Sequence, residues 1–329
     1  MRFYLAVCVL LVISMAVAPV AAVGRKDPAP EAVTAAGQAE EKENPDTISV
    51  FSHSDSAVNS IDIKEYVIGA VAAEVSANSH PEALKAQAVA CYTYALYVRN
   101  IQQKSPDAAL GGADISDSSA VHQGYYTKAQ RAEIWGEKAE EYEEKISQAV
   151  DAVLGYYISF EGEPILAVYH AVSAGKTQSA EDLWGNSLDY LKSVASPCDK
   201  LSPDYLHSAV FSAEEFAKIA ESLDGTELSD DKSEWVGKVQ TNGSDYVETV
   251  EIGGQKIKGS AVRSAFSLRS SAFTVEYSDS GFIFRTCGYG HGAGMSQHGA
   301  DYMARQGSNW QEILTHYYSG VEILKNENP

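Results

Sequence analysis

Residues 63–101 commit this chain to two consecutive helices that meet at a tight turn, with a carboxylate standing just before it. Ile63, Val67, Ala70, Val71, Glu74 and Val75 share one helical face at three- and four-residue spacing, so Glu74 occupies a place where such a stripe calls for an aliphatic side chain. Ser79-His80-Pro81-Glu82 follows with the Ser-x-x-Glu spacing of a capping box and a proline in the first turn, and residues 83–98 read as the second helix. An acid on an apolar face is either tied to a cation or to helix N–H groups, or it stands in a poorly hydrated cleft. There, desolvation raises its pKa until it donates a proton near neutral pH. Periodicity leaves both readings open.

The chain around this pair is organised from its N-terminus by an uncharged apolar run at residues 3–23, roughly twenty residues and enough to cross a bilayer. A retained membrane anchor is the expectation, with a signal peptide cut after the small residues Val20-Ala21-Ala22 as the rival. The segments are therefore 1–24 as anchor or signal peptide, 25–45 as a flexible linker rich in Ala, Pro, Glu and Lys, and 46–329 as one large region. Net charge is −20, from 45 acidic and 25 basic residues. No cationic track is offered to phosphates, so a nucleic-acid partner is not expected. Cys91, Cys198 and Cys287 lie outside the apolar run, an odd number with no Cys-x-x-Cys, and allow one internal disulfide at most.

Alternation at residues 46–63 suggests one or two short strands, and 111–125 is a polar loop. Residues 128–154 read as one long amphipathic helix, with Ile134, Ile146, Ala149, Val150 and Val153 inward and a solvated charged face outward. Gly155 ends it. A hairpin is expected next, with strands at 156–160 and 164–170 about the turn Glu161-Gly162-Glu163. A helix at 211–223 precedes β-rich sequence at 235–252, 255–258 and 273–277, with a short helix at 260–268. After a strand at 281–286, Gly288, Gly290, Gly292 and Gly294 alternate with other residues. The order mimics a dinucleotide fingerprint but lacks the following strand and its acid. Helices at 295–306 and from the cap Ser308-x-x-Gln311 complete the chain. Ser173-x-x-Lys176 follows a strand rather than opening a helix and lacks the companion motifs of acyl-transfer enzymes. His291, His298 and His316 lack the i, i+4 placement with an acid that zinc hydrolases use, so no metal and no cofactor are expected.

VIGAVAAE at 67–74, EALKAQAVA at 82–90, TYAL at 93–96, AVYHAVSAGKT at 167–177, SAEDLWGNSLDYLKSVASP at 179–197 and GYGHGAGMSQHGA at 288–300 together resemble the sporulation stage II protein D family, which is shared by amidase-enhancer proteins. These blocks span most of residues 60–325. The resemblance implies an α+β fold in which a helical lobe and a β-rich lobe flank a substrate cleft. It also implies a lytic transglycosylase acting on peptidoglycan glycan strands, with Glu74 as acid and base. Lys85, Tyr169, His170, Ser173, Tyr190, His291 and Gln297 are the candidate substrate-binding residues, and Trp184 is an aromatic that suits a sugar face but reads first as core. Where relatives carry a Cys/His metal site in the polar loop, this chain offers only His122, and His122-Gln123 reads as a loop anchored by hydrogen bonds. Ala171, Val172 and Ala174 also stand where relatives have small polar residues and glycine.

A second departure is Tyr92, standing where the family has an arginine. Its loss either raises the pKa of Glu74 further or leaves the cleft non-catalytic. The resemblance further implies a cell-wall amidase and a membrane partner of the engulfment machinery, and a catalytic region outside the cytoplasm on a single N-terminal helix. The alternative function is a membrane-tethered module that grips glycan and positions or activates an amidase without cutting.

Overall fold

The computed structural model describes residues 47–326. The N-terminal apolar run and the whole linker lie outside them, and among the described residues no helix is long and apolar enough to cross a membrane. Two separate cores organise the chain into an α+β architecture.

The larger core is helical. A hairpin of β1 (Thr47–Ser52) and β2 (Ala57–Asp62), with β3 (Ile115–Ser116) parallel to β1, leads into α1 (Ile63–Glu74), whose N-cap is Asp62. Ile63, Val67, Ala70 and Val71 are buried on the expected face. The central element is α2 (Pro81–Lys104), longer at both ends than the sequence suggested. Its N-cap is His80, not Ser79: the imidazole accepts from the Glu82 N–H, and the Glu82 carboxylate turns away to Lys85 and to the backbone N–H of Trp310. The single helix expected at 128–154 is broken. It forms α3 (Lys128–Trp135), one 3-10 turn and α4 (Ala139–Val153), because Gly136 adopts φ +54, a left-handed conformation open chiefly to glycine. The kink leaves Ile134 exposed instead of inward, while Ile146, Ala149, Val150 and Val153 are buried as expected.

The hairpin after Gly155 is also shorter than expected. β4 (Tyr156–Phe160) pairs with only β5 (Glu163–Pro164) on one side and with the C-terminal β14 (Glu322–Lys325) on the other. The chain then leaves that sheet, and β6 (Tyr169–His170) pairs in parallel with β13 (Met295–Ser296), Tyr169 against Met295 and His170 against Ser296. The last helices begin later than expected. α8 (Gln297–Arg305) follows β13 with Ser296 as N-cap, and α9 (Trp310–Tyr317) is capped by Asn309 with Glu312, not by Ser308 with Gln311.

Between these segments lies the β-rich core. β7 (Leu206–Phe211), β11 (Phe273–Ser278) and β12 (Gly281–Cys287) form one sheet in the order β11-β12-β7. β8 (Val236–Thr241), β9 (Val247–Ile252) and β10 (Gln255–Lys258) form a second. The segment expected to be helical from 211 starts as the end of β7, with the helix confined to α6 (Ala213–Ala220), between α5 (Ala180–Trp184) and α7 (Gly259–Ala265). Phe216 from α6 stacks on Phe282 at 4.0 Å between ring centroids, and Trp235, Phe266 and Phe284 close around them.

Candidate active site

Glu74 is the last residue of α1, where the chain turns extended at Val75. A carboxylate at a helix C-terminus faces the negative end of the helix dipole, which disfavours ionisation. Protein atoms crowd it from nearly every direction, yet the residue keeps part of its surface open to solvent. Two donors meet it: the Gly124 N–H at 3.0 Å from Oε1, and the side-chain amide of Gln297 at the start of α8. Both favour the carboxylate, but burial outweighs them and the pKa is pushed up to about 7. No cation and no second carboxylate is among the groups that shift it.

The Gly124 donor is held in place by its neighbour. Gln123 is buried in the polar loop and donates from Nε2 to the Tyr66 hydroxyl at 2.8 Å and to the Cys91 carbonyl at 3.1 Å, while its Oε1 accepts from the Tyr169 hydroxyl at 2.9 Å. Tyr125 stacks on Tyr66 at 5.5 Å, and Tyr126 donates its N–H to the Gly69 carbonyl. A side chain at Gly69 would collide with the Tyr125 ring. Upstream, His122 Nδ1 accepts from the Ser116 N–H at 3.1 Å, and the ring lies edge-on to Tyr94. The loop is thus pinned by hydrogen bonds from His122 and Gln123. The network continues through the Cys91 thiol, 3.5 Å from the Tyr169 hydroxyl and 3.4 Å from Gln87 Nε2, to Gln87 Oε1 beside Gln297. Burial drives Tyr66 and Tyr169 well above the usual phenol range and Cys91 up to about 12, so Glu74 alone in this network titrates near neutrality.

Of the residues singled out from the sequence, Glu74, Tyr169 and Gln297 are therefore brought together. His170 and His291 form a second group beside Tyr169, their rings 5.7 Å apart, with the half-buried Trp184 6.2 Å from His291. Burial pushes both imidazoles down, to about 4 and about 3, and keeps them neutral. His291 Nδ1 faces the Ala293 N–H and must accept, so its proton sits on Nε2. His170 Nδ1 faces the Ala293 carbonyl and must donate, which leaves Nε2 as an acceptor.

Three candidates stand elsewhere. Lys85 is paired with Glu82 at 2.7 Å. Ser173 is fully buried, its N–H donating to Asp199 and its hydroxyl accepting from Gly175. Tyr190 belongs to the helical core, with its hydroxyl accepting from the Leu166 N–H and its ring against Phe160. Tyr92, in place of the family's arginine, is buried with its hydroxyl 3.5 Å from Asn326, and is not among the groups that shift Glu74.

Asp199 is a residue that sequence reasoning missed. Wholly buried, it accepts from the Ser173 N–H at 2.9 Å and the Ser296 hydroxyl at 2.8 Å, and so ties the segment after β6 to the N-cap of α8. The glycine block completes that junction. Gly288, Gly290, Gly292 and Gly294 all take positive φ, and a Cβ at Gly288 or Gly294 would run into the backbone of Val172 or Val168.

The stage II sporulation protein family model matches residues 52–160, which include Glu74 and the polar loop. Stage II sporulation protein D of Bacillus amyloliquefaciens is 37% identical over 289 residues, covering 87% of this chain and 81% of the relative. The chain belongs to the stage II sporulation protein D family. Its Bacillus subtilis member is likewise 37% identical, over 86% of this chain and 80% of the relative. The amidase enhancer of Bacillus subtilis is 24% identical over 78% of this chain and 40% of its own length.

Proposed function

We propose that this protein is a lytic transglycosylase that cleaves MurNAc-GlcNAc links of peptide-denuded peptidoglycan during the engulfment step of endospore formation. One observation carries the reading: a solitary carboxyl, largely buried on a residue that keeps some exposure, with its pKa pushed up to about 7 and no second carboxylate among the groups that shift it. Hydrolytic glycosidases work with two carboxyl groups. Cleavage without water needs only one. Protonated Glu74 gives its proton to the glycosidic oxygen as the C1–O bond breaks and an oxocarbenium-like sugar forms. The sugar's own C6 hydroxyl then closes onto C1, and the Glu74 carboxylate takes the hydroxyl proton, which restores the acid and yields a 1,6-anhydro product. Gln297 and the Gly124 N–H hold the carboxylate between these two proton transfers.

In this reading the apolar run at 3–23 holds the region outside the cytoplasm, next to a cell-wall amidase that strips stem peptides and a membrane partner of the engulfment machinery. The similarity to an amidase enhancer supports a second reading, a tethered glycan-gripping module that activates the amidase without cutting. Incubating the protein with denuded glycan strands and weighing the products separates the two. Anhydro-ended saccharides are expected from the wild type and at least ~100-fold less from Glu74→Gln, a loss in line with removing a general acid. Wild-type rates from Glu74→Gln, or binding with no anhydro product, exclude the cutting role.

A further inference from the structure

Gln87 is a polar side chain sealed inside the helical core on α2, one turn before Cys91 and beside Gln297. Burying an amide is costly unless its groups are met, and apolar side chains of the same length exist. Its presence therefore calls for a reason. The direction of the hydrogen bonds around it supplies one.

That direction is set at a backbone carbonyl. The Cys91 carbonyl can only accept, so Gln123 turns Nε2 to it at 3.1 Å and Oε1 to the Tyr169 hydroxyl at 2.9 Å. The phenol proton is committed there, so the 3.5 Å contact between the Tyr169 oxygen and the Cys91 sulfur carries the thiol proton. Burial pushes that thiol up to about 12, and it keeps its hydrogen. The sulfur is then left to accept, and Gln87 must offer it Nε2, at 3.4 Å. Gln87 Oε1 consequently faces Gln297 as an acceptor, and Gln297 must present Nε2 to it, at 3.5 Å. Each link leaves the next a single choice.

The last choice is made beside the acid. Gln297 is half-exposed at the start of α8, where an amide tied to nothing can turn over, because its nitrogen and oxygen fill equal space. With nitrogen toward Glu74 the amide donates to the carboxylate; with oxygen toward it, the two repel. Gln87 holds one Nε2 hydrogen of Gln297, which keeps the nitrogen on the side of Glu74 and leaves its second hydrogen for the carboxylate. We propose that Gln87 is a positioning residue for the acid: it fixes the amide of Gln297 so that a donor, never an acceptor, faces Glu74. Its bearing on catalysis rests on the reading of Glu74 as the acid of the reaction, whereas the orientation of the amide does not.

The test follows the ionisation of Glu74 in the full-length protein by infrared titration of its carboxyl band, with the spectrum of the matching Glu74→Gln chain subtracted. The titratable groups within reach of Glu74 are Tyr66 on its own helix, Cys91 and Tyr94 on α2 and Tyr169 on β6, all pushed up by burial and neutral, so the midpoint reports the amide donors. Gln87→Met keeps the length and removes the amide, and should raise the midpoint by roughly half to one pH unit. Gln297→Met should raise it at least as much, and the double variant no further than Gln297→Met alone, because the same interaction is lost. A Gln87 that only fills the core would lower stability in denaturant and leave the midpoint in place. Where Gln87→Met folds poorly, Cys91→Ala removes only the thiol that orients Gln87 and should move the midpoint the same way, while Cys91→Ser, a donor and acceptor like the thiol, should hold it. A midpoint unmoved by Gln87→Met or by Cys91→Ala, or shifts that add in the double variant, overturns the assignment. The titration needs no turnover: a midpoint that moves as stated without anhydro-sugar release by the wild type removes the cutting role and keeps the positioning one, and release with an unmoved midpoint does the reverse.

Discussion

At the scale of single residues the site is a contest between burial and two hydrogen bonds, and burial wins. The free acid has a pKa of 4.5, against about 7 in the fold. Below pH 4.5 folded and unfolded chains both hold the proton; between 4.5 and 7 only the folded chain does, so stability falls across that window and the deficit persists above it. Glu74→Gln should therefore be more stable than the wild type at pH 8, by on the order of 2 kcal/mol, with the gap closing at pH 5. Denaturant unfolding at the two pH values measures this. At Gly124 the backbone is unstrained, but a Cβ would lie 3.1 Å from the Ala73 Cβ and 3.3 Å from Glu74 Oε1. Gly124→Ala is expected to cut anhydro-sugar release by roughly tenfold while changing stability by less than ~1 kcal/mol. The oddity of Glu74 was legible in the sequence because an apolar stripe leaves a carboxylate conspicuous. Its partners were less legible, since Gly124 acts through backbone and Asp199 sits in a stretch with no periodicity.

At the scale of elements, the polar loop is positioned by the helices beneath it. Arg131 on α3 is fully buried and joins Glu65 on α1 to Glu143 on α4, while Nη1 donates to the Tyr126 carbonyl at 2.8 Å. Replacing it with methionine strands two partly solvated acids and a carbonyl, at an expected cost of about 3 kcal/mol in denaturant unfolding. α4, a helix with one buried face, was readable because burial imposes the 3.6-residue period, whereas α1 is buried on most sides from Tyr66 to Val71 and only its apolar richness marked it. The break between α3 and α4 was not readable. A single glycine at 136 is tolerated inside many helices, and only the left-handed turn it takes here separates the two. β6 was misread for another reason. Residues 164–170 alternate as a hairpin partner would, but only their start pairs with β4, while Tyr169–His170 pair with Met295–Ser296, and such distant pairing leaves no local mark. Both cap misreadings were off by one residue, because Ser79-His80 and Ser308-Asn309 each offer two adjacent side chains able to cap.

At the scale of the whole molecule, two cores and one junction decide the arrangement. Asp199 with Ser173 and Ser296 and the interlocked glycine block fasten the C-terminal segment against the middle of the chain, and that fastening carries Gln297 to Glu74. Asp199→Ala leaves two buried donors without acceptors and should cost on the order of 3 kcal/mol in denaturant unfolding. It should lower the rate while leaving the pH at which activity is lost in place in a pH–rate profile, since burial and not Asp199 sets that pKa. The acid thus arrives in the first quarter of the polypeptide, while the amide that steadies it comes from the last tenth. A ribosome partway through this message has already made the tooth but not the jaw that sets it, and a chain cut short before position 297 keeps its acid without the means to aim it.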